Sequence, residues 1–295
     1  MSTQPPYIST LAKHVFFSSL LSFSLQAADA FHPLHEPLHG GYYDHVGDAN
    51  SVDIVIHDIL TLDKDMPNKP ALDIGCGLGG TVKYFVDREF TMQGIDSCPA
   101  AIAYANHKYN PASQACDIDQ WDWEKPPLKF ETMDLTILAS FFDQEEFSLL
   151  TLFNVAYTIE HKADFLRQAH IITAPGGILA ILDYTHANPT TTHSLCDAAG
   201  ASMHPLQLDR FKAELSATGW KLIASHDYTD YFIAYYETLL SKIEQQKEAL
   251  EESSSADSLA AVHTGYTTLL NELKAGTLGG VVMYAQKLAK EKSYS

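Results

Sequence analysis

Residues 69–80, KPALDIGCGLGG, constrain this chain more than any other segment. A short apolar run ends in a carboxylate, Asp73, and then passes through four glycines in six positions, Gly75, Gly77, Gly79 and Gly80. The pattern predicts a buried strand feeding a tight turn where a ligand meets bare backbone, because glycine adopts positive φ freely and has no Cβ to block approach. Sixteen residues past Gly80, the run TMQGI ends at Asp96. An acidic residue about twenty positions after the first glycine, at the tip of the next strand, suits a ribose diol held by two hydrogen bonds. The expectation is a nucleoside-bearing cofactor.

Glycines alone do not choose the cofactor. Gly75, Gly77 and Gly80 satisfy G-x-G-x-x-G, a weak signal in isolation. Asp73 discriminates better. A carboxylate two residues before the first glycine repels a pyrophosphate but attracts an ammonium or a sulfonium. S-adenosylmethionine carries both cations and a ribose, and no phosphate.

Asp73 to Gly79, DIGCGLG, resembles the first motif of class I S-adenosylmethionine-dependent methyltransferases of the small-molecule-acting type. Four further pieces follow in the same order. Residues 90–96 resemble the family's second strand, and 129–134 (KFETMD) the third. Residues 147–154 (FSLLTLFN) resemble the fourth, and 165–177 (FLRQAHIITAPGG) the helix and Pro-Gly-Gly turn before the fifth.

Composition agrees. A chain of 295 residues with 46% hydrophobic content can bury one large core plus additions. A net charge of −18 argues against nucleic acid and anionic membranes as partners and favours small neutral or cationic substrates. Four cysteines without paired spacing read as reduced thiols, and the expected location is the cytoplasm. Residues 15–25 are apolar but carry serines, with a small-residue triplet at 28–30; a secretory signal is one reading. An amphipathic helix packing over the cofactor site is the favoured one.

Helix and strand patterns alternate. Residues 52–62, 81–87, 99–107 and 206–218 read as helices, and 178–184, 220–228 and 279–287 as strands. Residues 110–127 read as a loop or short helix; Cys116–Asp117 is an alternative end for the third strand, which Asp134 fits better by spacing. The expected class is α/β: a Rossmann-like, seven-stranded, mostly parallel sheet with helices on both faces. An N-terminal helical cap (1–66) precedes the core (67–228 and 279–295). A helical insertion (229–278) comes before the last strand, which the resemblance makes antiparallel. Residues 231–250 and 259–274 read as the insertion's two helices and 251–258 as an acidic, serine-rich turn, together a candidate substrate lid.

The resemblance implies a cofactor site residue by residue. Asp73 would hold the methionine end, with Gly75, Cys76, Gly77 and Gly79 forming the turn around it. Asp96, with Ser97 beside it, would take the ribose. Asp134 would accept from the adenine amine while the Leu135 amide donates to the ring. Tyr43, in the segment GGYYD, is a candidate to cover the sulfonium by a cation–π contact, with ordinary packing as the equal alternative; Tyr42 reads as packing. Asn154 would lie near the transferring methyl. Many relatives carry a histidine after the fourth strand; here Thr158 takes that position, Tyr157 precedes it and His161 follows three residues on. No general base therefore follows from the resemblance. Tyr157, His161 and Asn154 are the catalytic candidates, and Tyr184, His186, Tyr228 and Tyr231, with Asp183, the substrate candidates. Tyr235 and Tyr236 read either as lining or as core. The acidic, tyrosine-rich surroundings suit a cationic amine.

No metal is expected. His32, His35, His39 and His45 lack a carboxylate or cysteine pattern, and His186, His193, Cys196 and His204 match no standard zinc spacing. Two other classes stay open. An NAD-dependent oxidoreductase explains the glycines and Asp96 but leaves Asp73, Asp134 and the Pro-Gly-Gly order unexplained. A non-catalytic S-adenosylmethionine-binding protein fits the missing histidine. The acceptor atom and the oligomeric state are not encoded in any pattern found.

Overall fold

A computed structural model describes residues 34, 37–43, 45–110, 128–186, 195–197 and 201–288. The expected N-terminal cap helix, His32, His35, His193 and the alternative strand end at Cys116–Asp117 lie outside these residues.

Seven strands form one sheet: β1 (Pro70–Ile74), β2 (Thr91–Asp96), β3 (Phe130–Thr132), β4 (Phe147–Phe153), β5 (Thr173–His186), β6 (Trp220–Asp227) and β7 (Leu278–Lys287). The spatial order is 3-2-1-4-5-7-6. β1 to β5 pair in parallel, and β7 runs antiparallel between β5 and β6. The order reverses between β1 and β4, which opens a crevice at the carboxyl ends of those two strands.

Nine helices are described: α1 (Asp48–Leu62), α2 (Gly80–Val86), α3 (Pro99–Tyr109), α4 (Leu138–Phe141), α5 (Lys162–Ile172), α6 (Leu208–Ala217), α7 (Thr229–Gln245), α8 (Lys247–Ser253) and α9 (Ala256–Lys274). Strand alternation distributes them over the two faces. Along β4, Leu149 and Phe153 join a core built with α1, α2, α7 and α9, while Leu150 and Leu152 join one built with α5 and α6. Along β5, Ala180, Leu182 and Tyr184 face the first core, and Leu179 and Ile181 the second. Strands buried on both sides read as continuous apolar runs. Each buried leucine or phenylalanine contributes about 1.5–3 kcal/mol. Among the described residues, no helix is long and apolar enough to cross a membrane.

Three expectations change in detail. The Pro-Gly-Gly segment is a bulge within β5 rather than a turn before it: Thr173 already pairs with Phe147, and register resumes at Leu149–Ile178. Proline is tolerated there because a bulge leaves backbone groups unpaired, and Gly176 takes φ +81°. The helix expected over 231–250 breaks at Gln246, whose φ of −114° and ψ of 18° separate α7 from α8. The break redirects the chain so that Leu250 packs into the core with Ile243 and Leu259. The third strand stops at Thr132, so Asp134 lies two residues beyond it and caps a short 3-10 turn instead.

Candidate cofactor and acceptor site

The glycine turn closes on β2. Gly75 N and Cys76 N both donate to Ile95 O, at 2.8 and 2.9 Å. Gly75, Gly77 and Gly79 have φ of +75°, +51° and +86°. A Cβ on Gly75 would lie 2.4 Å from Val155 Cγ2, so only glycine fits there. Asp96 Oδ2 accepts from Gly77 N (2.9 Å) and Oδ1 from Cys98 N (2.8 Å), placing its carboxylate against the turn; Ser97 beside it is exposed. Cys76 is buried against Gly94, and burial pushes its thiol well above the ordinary range.

Asp73 lies beneath this turn, buried, its Oδ1 accepting from Thr151 Oγ1 at 2.7 Å. The parallel register that pairs Asp73 with Thr151 makes this contact. Thr151, the one hydroxyl in the interior LLTLF of that strand, was the only sequence signal for it. Burial raises the Asp73 carboxyl to about 7, a Thr151 hydrogen bond opposes the rise, and the Asp96 charge adds to it. Asp134 Oδ1 is engaged by Thr136 N and Oγ1, both at 2.9 Å, at the exposed rim, with Leu135 half-buried beside it.

Asn154, immediately after β4, has φ +52°, unusual for a residue with a side chain. Its backbone N donates to Leu182 O (2.7 Å), and its Oδ1 accepts from Val46 N (2.7 Å). Its Nδ2 is buried with no hydrogen-bond partner among the described residues. A buried donor left unpaired costs about 1–3 kcal/mol. Strain and an orphaned donor at one residue mark a position shaped for something other than stability.

The segment before α1 lies across this crevice. Gly80 N donates to Tyr42 O (3.0 Å), and His45 Nε2 sits 2.9 Å from Thr81 Oγ1 with its ring 4.7 Å from Phe153. Tyr43 is buried edge-on to His45 and Tyr84, its phenol raised to about 12 by burial. Tyr42 lies against Tyr104 and Lys108. Ser51 Oγ donates to Val46 O and reaches Tyr231 Oη at 3.5 Å, which carries the path from Asn154 through Val46 to α7. His39 Nδ1 lies 3.0 Å from Asp48 Oδ1 and 2.9 Å from Tyr235 Oη, and its Nε2 lies 3.3 Å from Tyr266 Oη.

Tyr157 and Tyr184 stand at the ends of β4 and β5 with rings 5.5 Å apart. Tyr157 Oη donates to Asp197 Oδ2 (3.1 Å), while Tyr184 is buried with its hydroxyl on that of Tyr236. Tyr228 caps α7 and meets Tyr231 at 5.6 Å. Strand alternation turns Asp183 away from Tyr184, to the opposite face of the sheet. There it accepts from the Tyr184 and Tyr157 amides and sits at about 7 through burial, so it braces the loop after β4 rather than joining the tyrosines. His161 is exposed at the start of α5 and lines a separate polar cleft of about 490 Å³ with His186, His204, Lys162 and Arg210. Asp197, Val46 and the His39–Asp48 pair had no sequence signal; long-range packing alone brings them here.

The sheet order and the turn at its reversal define a Rossmann-like α/β protein with a nucleoside crevice. Residues 54–225 match the family model "Methyltransferase domain", and the chain belongs to that family. Phosphoethanolamine N-methyltransferase 1 of Arabidopsis thaliana is 23% identical over 62% of this chain, and norajmaline N-methyltransferase of Rauvolfia serpentina 27% over 52%. The chain spans 35% and 53% of those two relatives. Among solved structures, Haemonchus contortus phosphoethanolamine N-methyltransferase 2, in complex with phosphomonomethylethanolamine and S-adenosylhomocysteine, superposes with TM-score 0.69. It is 17% identical and covers 87% of this chain and 56% of its own. The [4+2]-cyclase SpnF superposes with TM-score 0.66 at 13% identity, over 90% and 96% of the two chains.

Proposed function

We propose that this protein is an S-adenosylmethionine-dependent methyltransferase acting on a small-molecule amine. The observation that carries the reading is Asn154, strained and with an unpaired buried amide, at the crevice where the glycine turn and Asp96 meet. The residues fit the cofactor. Asp96 suits the ribose diol, and Asp73 and Asp96 together disfavour a pyrophosphate. Asn154 Nδ2 is a donor waiting for an acceptor. When bound, the cofactor supplies a methyl group on a positively charged sulfur.

The chain's own residues then bind, orient and exclude water. Asp73 faces the cationic end, and Asp134 and Leu135 border the adenine. Tyr43 and the segment around it cover the crevice, and α7 to α9 act as a lid over the acceptor. Tyr157 Oη can take a proton from the acceptor as its own passes to Asp197. His161 and His186 border the neighbouring cleft, where they can reach a bulky acceptor. A cytoplasmic location accords with the need for a cofactor pool. Proximity and alignment supply most of the rate in such a transfer.

Two names among the relatives, phosphoethanolamine and norajmaline N-methyltransferase, support a nitrogen acceptor. The cyclase neighbour is a reminder that this fold hosts other chemistry. Calorimetric titration with S-adenosylmethionine, S-adenosylhomocysteine and NAD, on wild type and Asp96→Ala, tests the assignment. Binding of the two sulfur compounds that drops at least tenfold in the variant is expected. Binding of NAD alone would sink it.

A further inference from the structure

We propose that the amine acceptor carries no phosphate, unlike the substrate bound in the Haemonchus structure. The inference rests on the methyl-transfer reading above and concerns only the charge its acceptor side selects.

Fixed cations are the strongest and commonest partners of a phosphate monoester, arginine above all, whose guanidinium matches the oxygens bidentately. This chain has three arginines. Arg88 pairs with Asp53 at 3.1 Å and lies over the Tyr84 ring, Arg167 pairs with Asp164, and Arg210 Nε donates to Glu214 at 2.8 Å. Arg167 and Arg210 stand on helices α5 and α6 and Arg88 in the turn after α2, with side chains 58%, 71% and 37% exposed. Lys108 Nζ is on the Tyr42 hydroxyl at 3.0 Å, and Lys162, five residues after Tyr157, and Lys242, on α7 with Tyr231 and Tyr235, hold backbone carbonyls. Lys162 Nζ donates to Ile159 O and His204 O, and Lys242 Nζ to Leu38 O at 2.6 Å. Residues 187–194 and 198–200, the stretches that follow β5 in sequence, contain neither lysine nor arginine.

The acceptor side presents phenols and carboxylates instead. Tyr157 is tied to Asp197, Tyr231 adjoins Gly47 and Ser51, and Tyr235 is tied to Asp48. An ammonium gains from each aromatic face and from the carboxylates behind them, whereas a phosphate is repelled by those carboxylates and finds, among the described residues, no lysine or arginine paired with them to offset the repulsion. The polar cleft beside His161 does not reverse this, because Glu160 and Glu214 offset its Lys162 and Arg210. A whole-chain charge of −18 steers a cation inward and a dianion away.

The test uses matched compounds: ethanolamine and monomethylethanolamine against phosphoethanolamine and phosphomonomethylethanolamine, with tyramine and phenethylamine as bulkier amines. Two readouts are taken on the full chain, calorimetric binding with the cofactor omitted and methylation with it present. Binding of at least one unphosphorylated amine tenfold or more tighter than the phosphorylated compounds is expected, with the same order in kcat/KM. That affinity should weaken as salt rises from about 50 to 300 mM, since the attraction is screened. Asp197→Asn should weaken amine binding several-fold and leave S-adenosylhomocysteine binding unchanged. Equal or tighter binding of the phosphorylated compounds overturns the proposal, as does no binding of any amine. In that last case retained S-adenosylmethionine binding leaves the methyltransferase reading standing with a different acceptor atom; its loss removes both.

Discussion

Asp73 is a buried carboxyl whose charge a cation bound beside it would change. Burial holds it at about 7, so it is partly protonated at neutral pH in the ligand-free protein. A cation placed beside it favours the charged form. Cofactor binding near pH 7 is therefore predicted to release a fraction of a proton. Titrations in buffers of different ionisation enthalpy should differ accordingly, and Asp73→Asn should abolish the difference while weakening binding about tenfold. Asn154 carries a separate prediction. At φ +52° a side chain costs about 1 kcal/mol over glycine, yet this amide anchors Val46. Asn154→Gly should keep a melting temperature above that of Asn154→Ala, while both lower the methylation rate tenfold or more. Equal melting temperatures would remove the strain argument.

At the scale of elements, the turn after β1 and the segment before α1 do different jobs. The turn is rigid by sterics. Gly75→Ala should destabilise the fold by about 2–4 kcal/mol in urea titration, because its Cβ would sit 2.4 Å from Val155 in a backbone region side chains avoid. The segment is held by polar contacts, with His39 bridging Asp48, Tyr235 and Tyr266 and Lys242 reaching Leu38. Removing one such bridge loosens the segment locally without unfolding the sheet. His39→Ala should raise the acceptor KM about fivefold, speed proteolysis within residues 37–47 and leave the urea midpoint of the core nearly unchanged. A global loss of stability would show instead that this bridge belongs to the core.

Over the whole molecule, two carboxyls buried on opposite faces of one sheet govern the response to pH. Asp73 and Asp183 both sit at about 7 when folded, against an ordinary value of 3.8. A folded pKa above the unfolded one means that the folded state binds the proton more tightly. The stability each contributes is complete below about pH 4 and is lost as pH rises through 7. The ligand-free protein should lose up to about 4 kcal/mol per carboxyl between these limits. Asp73→Asn with Asp183→Asn should flatten the dependence, read as urea midpoints from pH 5 to 8. A wild-type profile already flat over that range would contradict the burial argument.

The order of the core was legible in residues 70–96 and 129–183 because buried parallel strands are continuous apolar runs and the turn between them needs glycine. Those constraints are local, so Asp73, the glycines and Asp96 could be placed by spacing alone. The end of β3, the bulge at Pro175 and the break at Gln246 could not, since each is decided by what packs against it. The same holds for the site. Nothing near Val46 in sequence points to Asn154, and nothing near Asp197 points to Tyr157. The sequence by itself determined the sheet, its cofactor turn and its family. Only the tertiary structure decided which side chains gather at the ends of β4 and β5, because a side chain's face follows from strand register and from helices that arrive from far along the chain.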